Sequence, residues 1–304
     1  MTKKRSYKQR SHRPKHFGSA VTTLVLVVAV FSLWPENGHQ LGKNSNKFQN
    51  QQQEILNQKK DVTRPSTTAA TNADLLKIQW NGTLDGDIVH INQNQATFSA
   101  QELNEKFPAK AGDKLHPVDG LSLSPLDAFG RSQQANFIAS KTSMDAVTKR
   151  PARIPDSVRP SGWYINDHFN GSTWTGGYHQ NPKVSLGGTK QALWNKSHIV
   201  GYQFFGMATM VTENMTTGTR VENAYPGQLV PEDDIRYALK LHPNLTIRGQ
   251  VTPIYSGNER VPRGVHYMAK SVENNGQALN FNYWVFNVQP GIQINYQTGA
   301  ATIA

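Results

Sequence analysis

The residues from Leu193 to Gly206 read LWNKSHIVGYQFFG, an apolar run interrupted by Asn195, Lys196, Ser197 and His198. A histidine titrates near neutral pH, so His198 is suited to accept or donate a proton, or to hold a metal. It is equally compatible with a hydrogen-bonded core histidine, and Asn195 and Lys196 with turn residues of a hairpin. Further along lie Asn214 and Asn223, nine residues apart, within ENMTTGTRVEN. Glu232 and Arg236 follow at the spacing that puts two side chains on one helical face. Taken singly, the asparagines also suit caps of turns or a helix, and Glu232 with Arg236 an ordinary surface pair. The chain has no cysteine and no His-Glu-x-x-His, which leaves no thiolate metal site and no zinc-peptidase motif.

These residues need a scaffold, and the last third of the chain supplies the clearest one. LTIRGQVTPIY, RGVHYMAKSV and LNFNYWVFNV are rich in β-branched and aromatic residues. They are separated by Ser256–Glu259 and by Asn274-Asn275-Gly276, a pattern that predicts an antiparallel meander. PEDDIRYALKLH opens with Pro231 and three acids, a helix start with negative charge at its positive end. Upstream, LKIQW, DIVHI, RSQQANFIAS and GWYIN read as strands, and residues 112–131 as loop. SAQELNEKF reads as a short helix with Ser99 and Glu102 in a capping box. The fold class is α+β, with a central antiparallel sheet.

The 304 residues carry a net charge of +11, but its distribution is uneven. Residues 1–34 hold seven Lys/Arg and no acid, whereas residues 65–304 hold 20 Lys/Arg and 18 acids. The basic character therefore belongs to the tail, and whole-chain charge is poor evidence for nucleic-acid binding. A cationic tail (1–16) precedes an uncharged stretch (17–35) of 19 residues with an apolar core from Ala20 to Trp34. That is long enough to span a bilayer. With no small-x-small cleavage site after it, an uncleaved anchor is preferred over a cleaved signal, the amino terminus inside. Residues 36–73, rich in Asn, Gln, Ser and Thr, read as a disordered linker, and 74–304 as the folded domain. Within it, Arg131, Lys141, Lys149, Arg150, Arg153 and Arg159 face only Asp145 and Asp156 over 29 residues. This suits either a solvated face or a nucleic-acid track.

The order His198, Asn214, Asn223, Glu232, Arg236, then VTPIYSGNERVPRGV and WVFNVQPGIQINYQTG, resembles the bacterial DNA/RNA non-specific endonucleases with a ββα-metal (His-metal finger) site. Within that family the likeness is to membrane-attached DNA-entry nucleases and secreted DNases of Gram-positive bacteria. It extends from Gly82 to Gly299 and includes LDAFGR at Leu126–Arg131. The resemblance implies roles residue by residue. His198 is the general base and Asn223 the magnesium ligand. Asn214 is a further asparagine of the site, and Glu232 holds the metal's water shell. Arg236 lies near the scissile phosphate, Lys196 takes the place of the motif's arginine, and Arg131 is a second phosphate-binding arginine. Here Asn195-Lys196-Ser197 replaces the family's Asp-Arg-Gly, so the base is kept while the planar guanidinium fork is lost. The implied reaction is hydrolysis of DNA and RNA outside the cell, leaving 5′-phosphates, with Mg2+ (or Mn2+) as cofactor. The substrates are nucleic acids and the membrane is contacted by the amino-terminal helix; no protein partner is inferable. The altered quartet also suits a surface protein that binds nucleic acid or cell-wall polymer with little or no catalysis.

Overall fold

The computed structural model describes residues 69–163, 168–171, 174–175, 181–186 and 188–304, all within the unit Arg64–Ala304. The expected anchor at 17–35 and nearly all of the expected linker lie outside the described residues. Among the described residues, no helix is long and apolar enough to cross a membrane.

A six-stranded antiparallel sheet organises the domain, in the order β1-β12-β11-β10-β3-β2. Its strands are β1 (Ile88–His90), β2 (Leu121–Leu123), β3 (Ala135–Ser140), β10 (Thr246–Ile254), β11 (Gly264–Ser271) and β12 (Asn280–Phe286). Four two-stranded hairpins stand apart from it. They are β4 (His168–Phe169) with β5 (Trp174–Thr175), β6 (Lys183–Leu186) with β7 (Thr189–Ala192), β8 (Asn195–His198) with β9 (Met215–Gly218), and β13 (Ile292–Asn295) with β14 (Ala300–Ile303). The helices are α1 (Asn72–Leu75), α2 (Ala100–Asn104), α3 (Lys141–Asp145), α4 (Tyr202–Phe205) and α5 (Leu229–Leu241).

The meander forms as its turn residues predict, with β10, β11 and β12 paired in sequence order. Asn275 and Gly276 take φ of 52° and 88° at the second turn, values that Asn and Gly tolerate best. In β3 the side chains alternate strictly, Ala135, Phe137 and Ala139 buried and the residues between them half-buried. This period of two lays one face against the core. That core gathers Phe137, Val251, Val265, Tyr267 and Phe281 from the sheet, Ile199, Val200, Phe204 and Phe205 from the stretch after β8, and Ile235, Ala238 and Leu239 from α5. Ile235, Ala238 and Leu239 recur three and four residues apart, so α5 turns one stripe inward and leaves the other for chemistry. Leu75, Ile91, Ile254, Trp284 and Phe286 form a second cluster.

The capping box of Ser99 and Glu102 is present at α2, with Ser99 Oγ accepting from the Glu102 N–H at 3.2 Å. The same segment clasps a buried cation. Arg248 on β10 donates to the Glu102 carbonyl at 3.1 Å and to Asn136 Oδ1 at 2.8 Å. Its guanidinium lies 4.8 Å from the ring centres of both Phe98 and Phe107. Donors met by carbonyls and faces met by π-systems offset the cost of burying the charge.

Several expectations need correction. LKIQW forms no strand: Thr71 and Asp74 make a capping box that starts α1 just before it, and a turn follows. This helix straddles the boundary that composition draws after residue 73. The loop at 112–131 contains β2, an edge strand too short to show a pattern. Helix α5 begins two residues before Pro231. Of GWYIN, Gly162 and Trp163 are not in a strand, and the rest lies outside the described residues.

Candidate active site

β8 and β9 make a four-residue antiparallel ladder in which Asn195 faces Gly218, Lys196 faces Thr217, Ser197 faces Thr216 and His198 faces Met215. Alternation turns Ser197 to one side and Lys196 with His198 to the other. The connection between the two strands contains α4, and after β9 the chain enters α5, so β8, β9 and α5 follow in the order β, β, α. His198 is 6% exposed; its Nε2 is fully enclosed and has no hydrogen-bond partner. Burial, and then the charge of Arg150, hold its pKa down to about 3, so the ring is neutral at physiological pH.

Asn214 locks the chain that leaves His198. Its Oδ1 accepts from the Val200 N–H at 3.0 Å, and its Nδ2 donates to the Val200 carbonyl at 2.9 Å and the Thr209 carbonyl at 3.0 Å. Fully buried and with its amide occupied, Asn214 cannot touch a substrate. The asparagine that the resemblance adds to the site thus ties down the backbone just past His198.

Glu232, in the first turn of α5, is half-buried, and its Oε2 accepts from Gln203 Nε2 at 3.1 Å. Burial, then the neighbouring Asp233, raise its pKa to about 8, opposed by Gln203, Arg150 and Arg236. Gly201 makes room for this carboxylate, since a Cβ there would lie 2.5 Å from Glu232 Oε1. Arg150 is the cation common to both reactive groups. Its charge acts on His198 and on Glu232, and its guanidinium stands 5.9 Å from the Tyr202 ring centre. Arg150 is solvent-exposed. In the sequence it was one of six basic residues with nothing to single it out.

Asn223 is half-buried on the turn between β9 and α5, and its side-chain amide has no hydrogen bond among the described residues. Its neighbour Glu222 is buried, with Oε2 unpartnered, and burial raises its pKa to about 8. Among the described residues no cluster of three or more His, Cys, Asp or Glu side chains is placed to hold a metal. An amide oxygen from Asn223 with the Glu232 carboxylate nearby in sequence suits a hard cation that keeps most of its water.

The remaining expected residues are committed elsewhere. Lys196 Nζ donates to the Pro155 carbonyl at 3.0 Å and stands 5.6 Å from the Trp163 ring centre, bracing residues 155–163 against the hairpin. Arg236 pairs with Asp233, its Nη2 2.6 Å from Oδ1, while still acting on Glu232. Arg131 donates to Asp127 at 2.7 Å and to the carbonyls of Gly257 and Glu259 at 2.7 and 3.1 Å. Its guanidinium also stacks 4.6 Å from the Tyr255 ring centre. These contacts make Arg131 a structural tie between the loop before β3 and the β10–β11 turn. A concavity of ≈ 760 Å³ opens beside α3 and α4, lined by Phe107, Val147, Phe205 and Met207 among others, and its lining includes none of His198, Asn223 or Glu232.

Comparison with known proteins agrees with this geometry. Residues 156–273 match the model of the DNA/RNA non-specific endonuclease family, a span that holds the β8–β9 hairpin, both asparagines and α5. The fold is similar to that of Sda1 nuclease with a bound zinc ion, at 22% identity and a TM-score of 0.58 over 72% of this chain and 97% of that one. It is also similar to NucA from Streptococcus agalactiae with a magnesium ion bound, at 22% identity and a TM-score of 0.50 over 71% of this chain and 87% of that one. The hairpin that carries His198 and the helix that carries Glu232 thus both lie within the span that matches the DNA/RNA non-specific endonuclease model.

Proposed function

We propose that this protein is a divalent-metal-dependent endonuclease that hydrolyses DNA and RNA without sequence preference and leaves 5′-phosphates. His198 is its general base. The observation that carries this reading is the His198 ring itself, neutral, with Nε2 unpartnered, and under the charge of Arg150, which acts on Glu232 as well. A buried imidazole without a partner carries a desolvation cost, and a proton-accepting role gives that cost a purpose.

In the reaction, His198 takes a proton from the attacking water as its oxygen bonds to phosphorus. Arg150 offers its guanidinium to the phosphate as negative charge grows on it, and Arg236 adds to the local positive field. Asn223 would hold Mg2+ or Mn2+ directly and Glu232 through water, with Gln203 keeping the Glu232 carboxylate in place. When bound, the cation stabilises charge on the phosphate and on the departing 3′ oxygen. No base-reading group is required, because phosphate contacts carry no sequence information.

Three outcomes test the reading. The full chain should nick and degrade plasmid and RNA in Mg2+, and chelation should stop it; intact substrate in both Mg2+ and Mn2+ would refute the enzyme. Asn223→Ala should raise the metal concentration for half-maximal activity by about 10-fold or more, measured by Mg2+ titration. Arg150→Ala should lower kcat/KM by about 100-fold. It should also move the His198 pKa upward in an NMR titration, since Arg150 lowers it. An unchanged titration would remove Arg150 from the site.

The commitment of Lys196 to Pro155 keeps a second reading in view, a surface protein that binds nucleic acid with weak cleavage; tight binding of DNA without turnover would favour it. On the sequence reading, the domain acts outside the cell, held at the membrane by residues 17–35 on the 36–73 linker. Membrane fractionation of the full chain, with the domain accessible to added protease, checks this.

A further inference from the structure

Gln228, the residue before α5, has no role in the proposed reaction, yet the three parts of the site meet on it. It is 3% exposed. With its amide nitrogen facing oxygen acceptors, that nitrogen lies 2.8 Å from the His198 carbonyl, 2.9 Å from Ser197 Oγ and 3.2 Å from Glu222 Oε1. Its backbone N–H donates to the Glu222 carbonyl at 2.7 Å, and its own carbonyl accepts from the Glu232 N–H at 3.3 Å. One residue is therefore bonded to the strand of the base, to the residue next to Asn223, and to the helical turn that presents Glu232.

Ser197 belongs to the same cluster. Its hydroxyl lies 2.9 Å from the Gln228 amide, which also reaches the Glu222 carboxyl. Gly218, opposite in the hairpin, leaves the space: a Cβ there would lie 2.0 Å from Glu222 Oε2 and 2.7 Å from Ser197 Cβ. Secondary structure alone does not link a two-stranded ladder to a helix ten residues beyond it. Buried polar groups bonded to one another do, because breaking the Gln228 contacts would leave further donors and acceptors unmatched.

The geometry points to Gln228 as the positioning residue of this active site, with Ser197 as its partner. It sets the distance between the general base and the metal-holding turn without touching substrate. The inference rests on the proposed roles of His198, Asn223 and Glu232. It assigns a function to the serine that replaces the family's glycine.

The test uses the full chain with Gln228→Met, which keeps length and volume and removes both donors. The readouts are kcat and KM on DNA, Mn2+ affinity by electron paramagnetic resonance, and the His198 ring resonances in metal-free protein. With the fold intact by circular dichroism, kcat should fall by about 10- to 100-fold. KM for DNA should stay within about threefold, Mn2+ binding should weaken, and the His198 resonances should move before any metal is added. Ser197→Ala should produce the same changes in smaller measure, and little extra in the Gln228→Met background, because coupled residues are not additive. A folded Gln228→Met variant with wild-type kcat, Mn2+ affinity and His198 resonances overturns the inference. Should that variant fail to fold, Ser197→Ala decides: shifted His198 resonances support the role and unshifted ones overturn it. If the wild-type chain cleaves no nucleic acid, the nuclease reading fails, and the ring resonances still report whether Gln228 positions His198.

Discussion

His198→Ala is expected to lower phosphodiester cleavage by about 1,000-fold while leaving the domain folded. The loss is large because the ring is the neutral proton acceptor of the proposed site, and water cannot replace a positioned base in a site built around it. The fold should survive because the ring has no hydrogen bond to lose among the described residues. Removing it also removes an unpartnered buried polar atom, which offsets part of the cavity left behind. Single-turnover cleavage of a labelled duplex, with circular dichroism on the same sample, measures both; a folded variant with near wild-type rate would take the base away from His198. A pH signature accompanies it. The pKa of His198 is about 3 in the fold against 6.5 for the free side chain, so between these values the unfolded chain binds the extra proton. Stability through this group therefore rises with pH across that window and is complete above it. Denaturation of the alanine variant should lack that contribution.

Asn214→Ala is the second large effect, and it acts through stability. Three hydrogen bonds vanish at a fully buried position, orphaning the N–H and carbonyl of Val200 and the carbonyl of Thr209. The cost of leaving such groups unpaired should total about 3 kcal/mol, read from urea denaturation. Activity well below the melting temperature should fall as well, since Val200 is two residues past the base and loses its anchor. A loss under about 1 kcal/mol would mean that water or a local shift satisfies the freed groups.

How much of this was legible in the sequence depended on how local the physics was. The meander, α2 with its capping box and the start of α5 rest on alternation, turn residues and caps within a few positions, and each could be placed. The LKIQW segment shows the limit. Its alternation suits a strand, but the capping box of Thr71 and Asp74 just upstream turns the chain into a helix first. Site residues divide the same way. His198, Asn223 and Glu232 could be singled out from motif order. The fates of Arg131, Asn214, Arg150 and Gln228 were not readable, because each is decided by partners across the fold. Arg131 binds carbonyls more than 120 residues away, and Gln228 meets a strand 30 residues before it. Nothing in the local chemistry of an arginine or glutamine says which carbonyl it will find.

The four-residue pairing of β8 with β9 has a consequence for how the protein must be made. Side chains on a strand change sides at every step, so a slip of one position would send Ser197 outward and drive His198 toward Glu222. The ladder is too short to resist that slip by its own backbone bonds. An error of one residue, invisible in overall secondary structure, would give a molecule that looks native by far-ultraviolet spectroscopy and has no working base. Preparations of this protein are therefore better judged by the fraction of active sites than by the amount of folded chain.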